Sequence, residues 1–206
     1  MTSQHASLAD ILDQIRGLDP DYLQMLTATE SKKFEEAFCK FLEKSLIHLE
    51  ENGKNFKSLD EEGLSAVLAA ALKMPGVTVS TEKNSNGHVD ITVELNQKFP
   101  FQKKLMEAKI YDGPVYHIAG MEQLVKFYST GREGRCWMIS YVRQAKIADI
   151  VKKLRDRLDA DKPHEQDGIT SELISKWSFL SKHKHSSGEI IEVGHACCNL
   201  HIASSK

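Results

Sequence analysis

Two runs of alternating residues constrain this chain more than any other feature. From His88 to Leu95, Val89, Ile91, Val93 and Leu95 face one way and His88, Asp90, Thr92 and Glu94 the other. From Lys103 to Tyr111 the pattern returns, with Met106, Ala108 and Ile110 opposed to Leu105, Glu107, Lys109 and Tyr111. Period-two alternation marks a strand with one face in a core. If the runs pair as a hairpin with its loop centred between Lys98 and Phe99, Asp90 stands directly across from Glu107. Residues i and i+2 of a strand share a face at roughly 6.6–7 Å, so Lys109 joins Glu107. Two carboxylates and one ammonium then gather on a sheet whose other side is apolar.

The surrounding segments fall into order around this hairpin. Helical spacing runs from Ser7 to Gly17 and again from Ser31 to about Glu51, where Phe34, Phe38, Phe41, Leu42, Leu46 and Leu49 form a broad stripe. Ser58-Leu-Asp-Glu61 reads as a capping box opening a helix through Leu72. Val77 to Glu82 reads as a strand, Val115 to Ser129 as a helix, Cys136 to Val142 as a buried strand, and Gln144 to Leu158 as a helix. The last fifty residues predict a helix near Thr170 to Leu180, a polar turn at Lys182-His-Lys-His-Ser-Ser, and a strand pair between Glu189 and Ile202. The fold class expected is α/β, with a central mixed sheet of four to five strands flanked by helices. Residues 1–57 read as a helical N-terminal extension and residues 58–206 as the domain that carries the chemistry.

Two acids a few ångströms apart repel unless positive charge sits between them. A hard divalent cation meets that need: Mg²⁺ takes one or two carboxylates, keeps waters, and accepts a phosphate oxygen. Such an ion lowers the pKa of bound water and stabilises a phosphorane-like transition state. A lysine alongside orients or deprotonates the attacking water. The chemistry that fits is phosphodiester hydrolysis.

Gly87-His-Val-Asp90-Ile-Thr-Val followed by Leu105-Met-Glu107-Ala-Lys109-Ile resembles the motif of the PD-(D/E)XK, or restriction-endonuclease-like, nuclease superfamily. The helix from Ser58 to Leu72 stands where that group carries a glutamate-bearing helix, and Tyr116 to Tyr128 resembles its glutamine-containing helix. The resemblance covers about residues 58–142. It implies a restriction-endonuclease-like core in which Asp90 and Glu107 bind Mg²⁺ or Mn²⁺, with the Ala108 carbonyl as a further ligand. It implies that Lys109 positions the water, that Gln123 supports the lysine or a phosphate, and that Glu61 or Glu62 is the helix carboxylate. Periodicity favours Glu61, which shares a face with Leu64 and Leu68, while the capping role of Glu61 favours Glu62. Two departures stand out: Val89 replaces the usual proline, and Phe127 falls where a Gln-X3-Tyr spacing puts tyrosine, with Tyr128 one residue late. The substrate implied is DNA, with RNA as the alternative, in a prokaryotic or phage restriction, defence or repair setting.

Composition narrows the rest. The chain carries 27 basic and 29 acidic residues, a net charge of −2. Nucleic-acid affinity normally rests on clustered lysine and arginine, so a homodimer or a partner protein is expected to complete the surface. Short basic spots at Lys182-His-Lys-His185 and Arg132-Glu-Gly-Arg135 are the local candidates for backbone contact. The start shows no basic n-region and apolar h-region, and no apolar run approaches the ~18 residues of a membrane span. Four cysteines without framework spacing suit a reduced, cytoplasmic chain. Cys197-Cys198-X-X-His201 and His183-X-His185 lack the matched pairs of a zinc site and read as core or surface residues. No phosphate-loop, dinucleotide or nucleophile-elbow motif occurs. The rival class is a non-catalytic nucleic-acid-binding or assembly subunit of the same fold.

Overall fold

The architecture comes from a computed structural model that describes residues 19–84, 88–95 and 102–203, with a few isolated positions before residue 19. The helix expected over residues 7–17, the turn at 85–87 and the loop at 96–101 lie largely or wholly outside the described residues. The elements are α1 (Pro20–Thr27), α2 (Ser31–Glu51), α3 (Glu61–Ala71), β1 (Val77–Asn84), β2 (His88–Leu95) and β3 (Gln102–Ile110). There follow α4 (Pro114–Glu122), a π-helical segment (Gln123–Tyr128), β4 (Arg135–Val142), α5 (Ile147–Asp161), β5 (Ser171–Glu172), β6 (Ser178–Lys184) and β7 (Ile190–Asn199). No described helix is long and apolar enough to cross a membrane.

The fold is α/β, with one mixed sheet in the order β1-β2-β3-β4-β7-β6-β5. β3, β4 and β7 run parallel in the centre, and the outer neighbours on both sides pair antiparallel. Seven strands replace the four to five expected, because the last fifty residues form strands rather than a helix near Thr170 to Leu180. The inward positions of β6 explain the misreading: Ser181 and His183 are buried, at 1% and 0% exposure. Polar residues on a core face hide the alternation that hydropathy would show. His183, expected in a surface turn, is therefore a core residue. The strand pair expected between Glu189 and Ile202 is a single strand, β7, between β4 and β6.

The sheet is covered on both faces. Phe34, Phe38 and Leu42 of α2 and Leu64 and Leu68 of α3 pack with Met106, Ala108, Trp137, Ile139 and Tyr141 in one cluster. Leu124 of the π segment and Leu154 and Leu158 of α5 pack with Leu105, Met138, Val142 and Val193 in the other. The α2 helix spans the residues its stripe defines. The short helix α1 was not read from the sequence; Asp19 caps it, accepting from the Asp21 N–H at 2.8 Å, and Pro20 opens it. All four cysteines are buried and free.

The second cluster surrounds a line of polar side chains linked end to end. His117 of α4 reaches Ser140 of β4 at 2.8 Å and His195 of β7 at 2.7 Å. His195 reaches Ser181 of β6 at 2.8 Å, and Ser181 reaches His183 at 2.7 Å. Burial holds all three imidazoles below the ordinary histidine range, His117 at about 3 and His183 at about 4.

Two outcomes follow from this core. The unfolded histidines take up protons below about pH 6.5 while the folded ones do not, so stability is level above that pH and falls toward about pH 4. Each histidine contributes about 1.4 kcal/mol per pH unit of that fall. Glu107, raised to about 7 by burial, and Glu50, also raised by burial, work in the opposite sense, two groups against three. The urea midpoint is therefore expected to be lower at about pH 5 than at about pH 7.5. Separately, a Cβ on Gly194 would lie 2.7–2.9 Å from ring atoms of Trp137. A buried indole cannot yield that space, so Gly194→Ala is expected to cost about 2 kcal/mol, read in the same urea titration.

Candidate active site

The β2–β3 pairing has the register that the alternation requires. Ile91 faces Met106, Thr92 faces Leu105 and Val93 faces Lys104, and the strand pairing ends at Ile91 and Met106, one residue short of Asp90 and Glu107. There the ladder changes hands. Asp90 Oδ2 accepts a hydrogen bond from the Ala108 N–H at 2.8 Å. A side chain thus takes the place of a backbone partner, and the strand's alternation breaks at this point. Val89, expected to share a face with Ile91, packs instead in the opposite cluster with Leu105 and Leu124.

Glu107 and Lys109 share the face covered by α4 and the π segment. Lys109 Nζ lies 2.7 Å from Glu107 Oε1 and 3.1 Å from Glu61 Oε1. The other oxygen of Glu61 accepts from the Ile110 N–H at 2.9 Å. This separates the two helix glutamates: Glu61 bonds to β3, whereas Glu62 lines the adjoining cleft. The local reason is the cap. Asp60, rather than Ser58, closes the start of α3, accepting from the Gly63 N–H at 2.9 Å. Glu61 becomes the first helical residue, and Arg143 at the end of β4 ties the approach down by donating to the Leu59 carbonyl.

Electrostatics at this point are strained in one direction. Glu107 is 1% exposed, and burial, then the Asp90 charge, raise its carboxyl to about 7 against the pull of Lys109. Its Oε2 is buried without a hydrogen-bond partner. Burial would lower the Lys109 ammonium, but the contacts with Glu107, Asp90 and Glu61 outweigh it and hold the group above its ordinary range. In this arrangement Lys109 is held as an ammonium that donates to Glu107 and Glu61. Among the described residues no three His, Cys, Asp or Glu side chains stand as a ready-made metal cage. Asp90, Glu107 and Glu61 are joined through Ala108, Lys109 and Ile110.

A cleft of about 660 Å³ opens beside them, with Glu61, Glu62, Thr81, His88 and Asp90 on its walls. Gln123 is not on its walls; it opens the π segment on the covering side, its Oε1 buried without a partner. Tyr128 also belongs here, although its spacing argued against a role. The chain from Gln123 to Tyr128 winds as a π-helix, with Ser129 N–H donating to the Leu124 carbonyl five residues back at 3.1 Å. That wider turn absorbs about one extra residue. Phe127 is left 55% exposed while Tyr128 is 8% exposed, and burial followed by the Glu107 and Asp90 charges raises its phenol. The one signal in sequence was a tyrosine a single residue late; no residue type announces a π turn.

Within the two basic spots Arg132 and Lys184 are exposed, while the other groups have partners or are buried. Arg135 pairs with Glu192 at 2.6 Å, Lys182 lies 3.9 Å from the same glutamate, and His183 is internal. Scans against protein-family models, curated proteins and solved structures return no match for this chain.

Asp90→Asn keeps an oxygen acceptor for Ala108 and removes the repulsion on Glu107. It is expected to leave the protein at least as stable at about pH 8, with a gain of about 1 kcal/mol. Thermal melts of the two proteins at that pH check it.

Proposed function

We propose that this chain is a metal-dependent nuclease with a restriction-endonuclease-like core, hydrolysing phosphodiester bonds and most suited to DNA. The observation that carries the reading is the convergence of Asp90, Glu107 and Glu61 around Lys109 at the edge of a cleft. A buried carboxylate oxygen without a partner on Glu107 suits a hard cation. In this reading Asp90 and Glu107 hold Mg²⁺ or Mn²⁺, with the Ala108 carbonyl and Glu61 as further oxygen donors. Once bound, the ion supplies an activated water and charge neutralisation at phosphorus.

The chain's own groups do the rest. Lys109 donates from its ammonium to the attacking water and holds it in line, an orienting role that a group retained in its charged form performs well. Gln123, with an unsatisfied carbonyl oxygen and an amide donor on the same side chain, bears on the lysine or on a phosphate oxygen. The Tyr128 hydroxyl stays protonated beside the acids and donates. With Arg135 and Lys182 engaged in ion pairs and a net charge of −2, affinity for the polyanion is expected from a homodimer or a partner protein. A setting in prokaryotic or phage restriction, defence or repair rests on the family resemblance.

Cleavage assays on plasmid, linear, single-stranded and RNA substrates, with Mg²⁺ or Mn²⁺, test this. Wild type is expected to cut DNA, and Lys109→Ala and Glu107→Gln to lose about a hundredfold or more in rate. Wild type that binds DNA without cutting it, with binding unaffected by Asp90→Asn, would favour the non-catalytic subunit instead. Cleavage confined to RNA would make it an RNA-directed nuclease.

A further inference from the structure

The line of buried histidines described above can be read as a sequence of donors and acceptors. At one end His183 Nδ1 lies 3.1 Å from the His164 carbonyl oxygen, which can only accept. The proton of His183 is therefore on Nδ1, and its Nε2 accepts from the Ser181 hydroxyl. Ser181, having donated, accepts from His195 Nε2–H. His195 Nδ1 then accepts from His117 Nε2–H, and His117 Nδ1 accepts from the Ser140 hydroxyl. Every imidazole is neutral, each in one tautomer, and all six of their nitrogens are used. Since a carbonyl cannot pass a proton on, the line conducts none; it is a tie.

Its ends lie on the elements that carry the site. Ser140 is the register partner of Lys109 across β3 and β4. At the far end His164 also holds α4 from outside, its Nε2–H donating to the Ile118 carbonyl at 3.2 Å, with Glu122 3.8 Å from its Nδ1. Its loop is held in an uncommon conformation, Lys162, His164 and Glu165 all having positive φ. Between the ends, His117 and Gly120 sit one turn apart on the buried side of α4. A Cβ at Gly120 would meet Met138 Cε at 2.7 Å and Lys109 Cγ at 3.3 Å, so the helix rests almost on the lysine. One further turn along the chain stands Gln123, where the π segment begins.

We propose that Ser140, His117, His195, Ser181 and His183 form a one-way hydrogen-bonded tie whose function is to position α4 and its π segment, and with them Gln123 and Tyr128, over Lys109. The five are positioning residues. The catalytic consequence rests on the nuclease reading; the tie and its tautomers do not.

The test has two arms on the full chain. Long-range ¹H–¹⁵N spectra at neutral pH are expected to show Nε2–H tautomers for His117 and His195 and an Nδ1–H tautomer for His183. A different tautomer at any of the three, or an imidazolium, overturns the tie. In the second arm, His117→Leu and the milder Ser140→Ala are compared with His117→Gln, which keeps a donor toward His195. With plasmid and Mn²⁺, His117→Leu is expected to lower kcat by about tenfold or more, leaving KM and Mn²⁺ affinity within about twofold, and His117→Gln to recover part of the loss. Should His117→Leu fail to fold, Ser140→Ala decides, with a smaller fall in kcat expected. Unchanged kcat in folded variants, or Mn²⁺ affinity falling in step with kcat, overturns the positioning role. If wild type cuts nothing, the nuclease reading falls by itself. The side-chain amide resonances of Gln123, expected to shift in Ser140→Ala, then decide the positioning claim, and unshifted resonances end it.

Discussion

One ammonium group organises this molecule. Lys109 stands partly buried on a strand covered on both sides, where a cation is stabilised by being paired and hydrogen-bonded. Its partners come from two places in the chain: Glu107 from the same strand and Glu61 from the first turn of α3. The pairing brings the N-terminus of a helix on one face of the sheet to the amine of a residue directed to the other. Asp60 as cap and Arg143 as anchor are the local means by which α3 is held there. Burial first, and then the Asp90 charge, raises Glu107, so charge is balanced only in part at the edge of a cleft. One carboxylate oxygen of Glu107 is left unsatisfied there.

The two faces of the sheet solve different problems. Beneath α2 and α3 the core is mainly apolar, with aromatic and aliphatic side chains from both helices packed on Trp137, Ile139 and Tyr141 and one buried ion pair between Lys104 of β3 and Glu35 of α2. Beneath α4 and α5 the core contains three histidines and two serines that satisfy one another. An apolar interface tolerates small rotations of a helix, because dispersion is non-directional. A line of hydrogen bonds at 2.7–2.8 Å does not. The helix bearing Gln123 is on the face with directional contacts, and the face with apolar packing carries α2 and most of α3.

Legibility in the sequence followed the same division. The hairpin was readable to the residue: alternation set the faces of β3, and the midpoint between Lys98 and Phe99 set the register in which Ile91 meets Met106. Asp90, Glu107 and Lys109 could be brought together on paper because they lie on elements whose period is two. The break at Asp90 could not be seen, because it depends on a carboxylate displacing a backbone partner. β6 was missed since its inward residues are polar, and polar inward residues carry no hydropathy signal until their partners on β7 and α4 are in place. Tyr128 falls one residue outside a Gln-X3-Tyr spacing, and only the wider winding of the π segment turns it inward.

What the sequence determined by itself was thus local and periodic: the paired strands, the stripe of α2, the α/β class, and the spacing that sets two acids and a lysine on neighbouring strands. These depend on the repeat of the backbone, which is the same wherever the segment finally lies. The bonding of Glu61 to β3, the depth at which Glu107 is buried, the seven-stranded extent of the sheet and the line of buried histidines were decided only by tertiary structure. Each depends on groups far apart in the chain meeting within hydrogen-bonding distance, and no periodicity records which ones will.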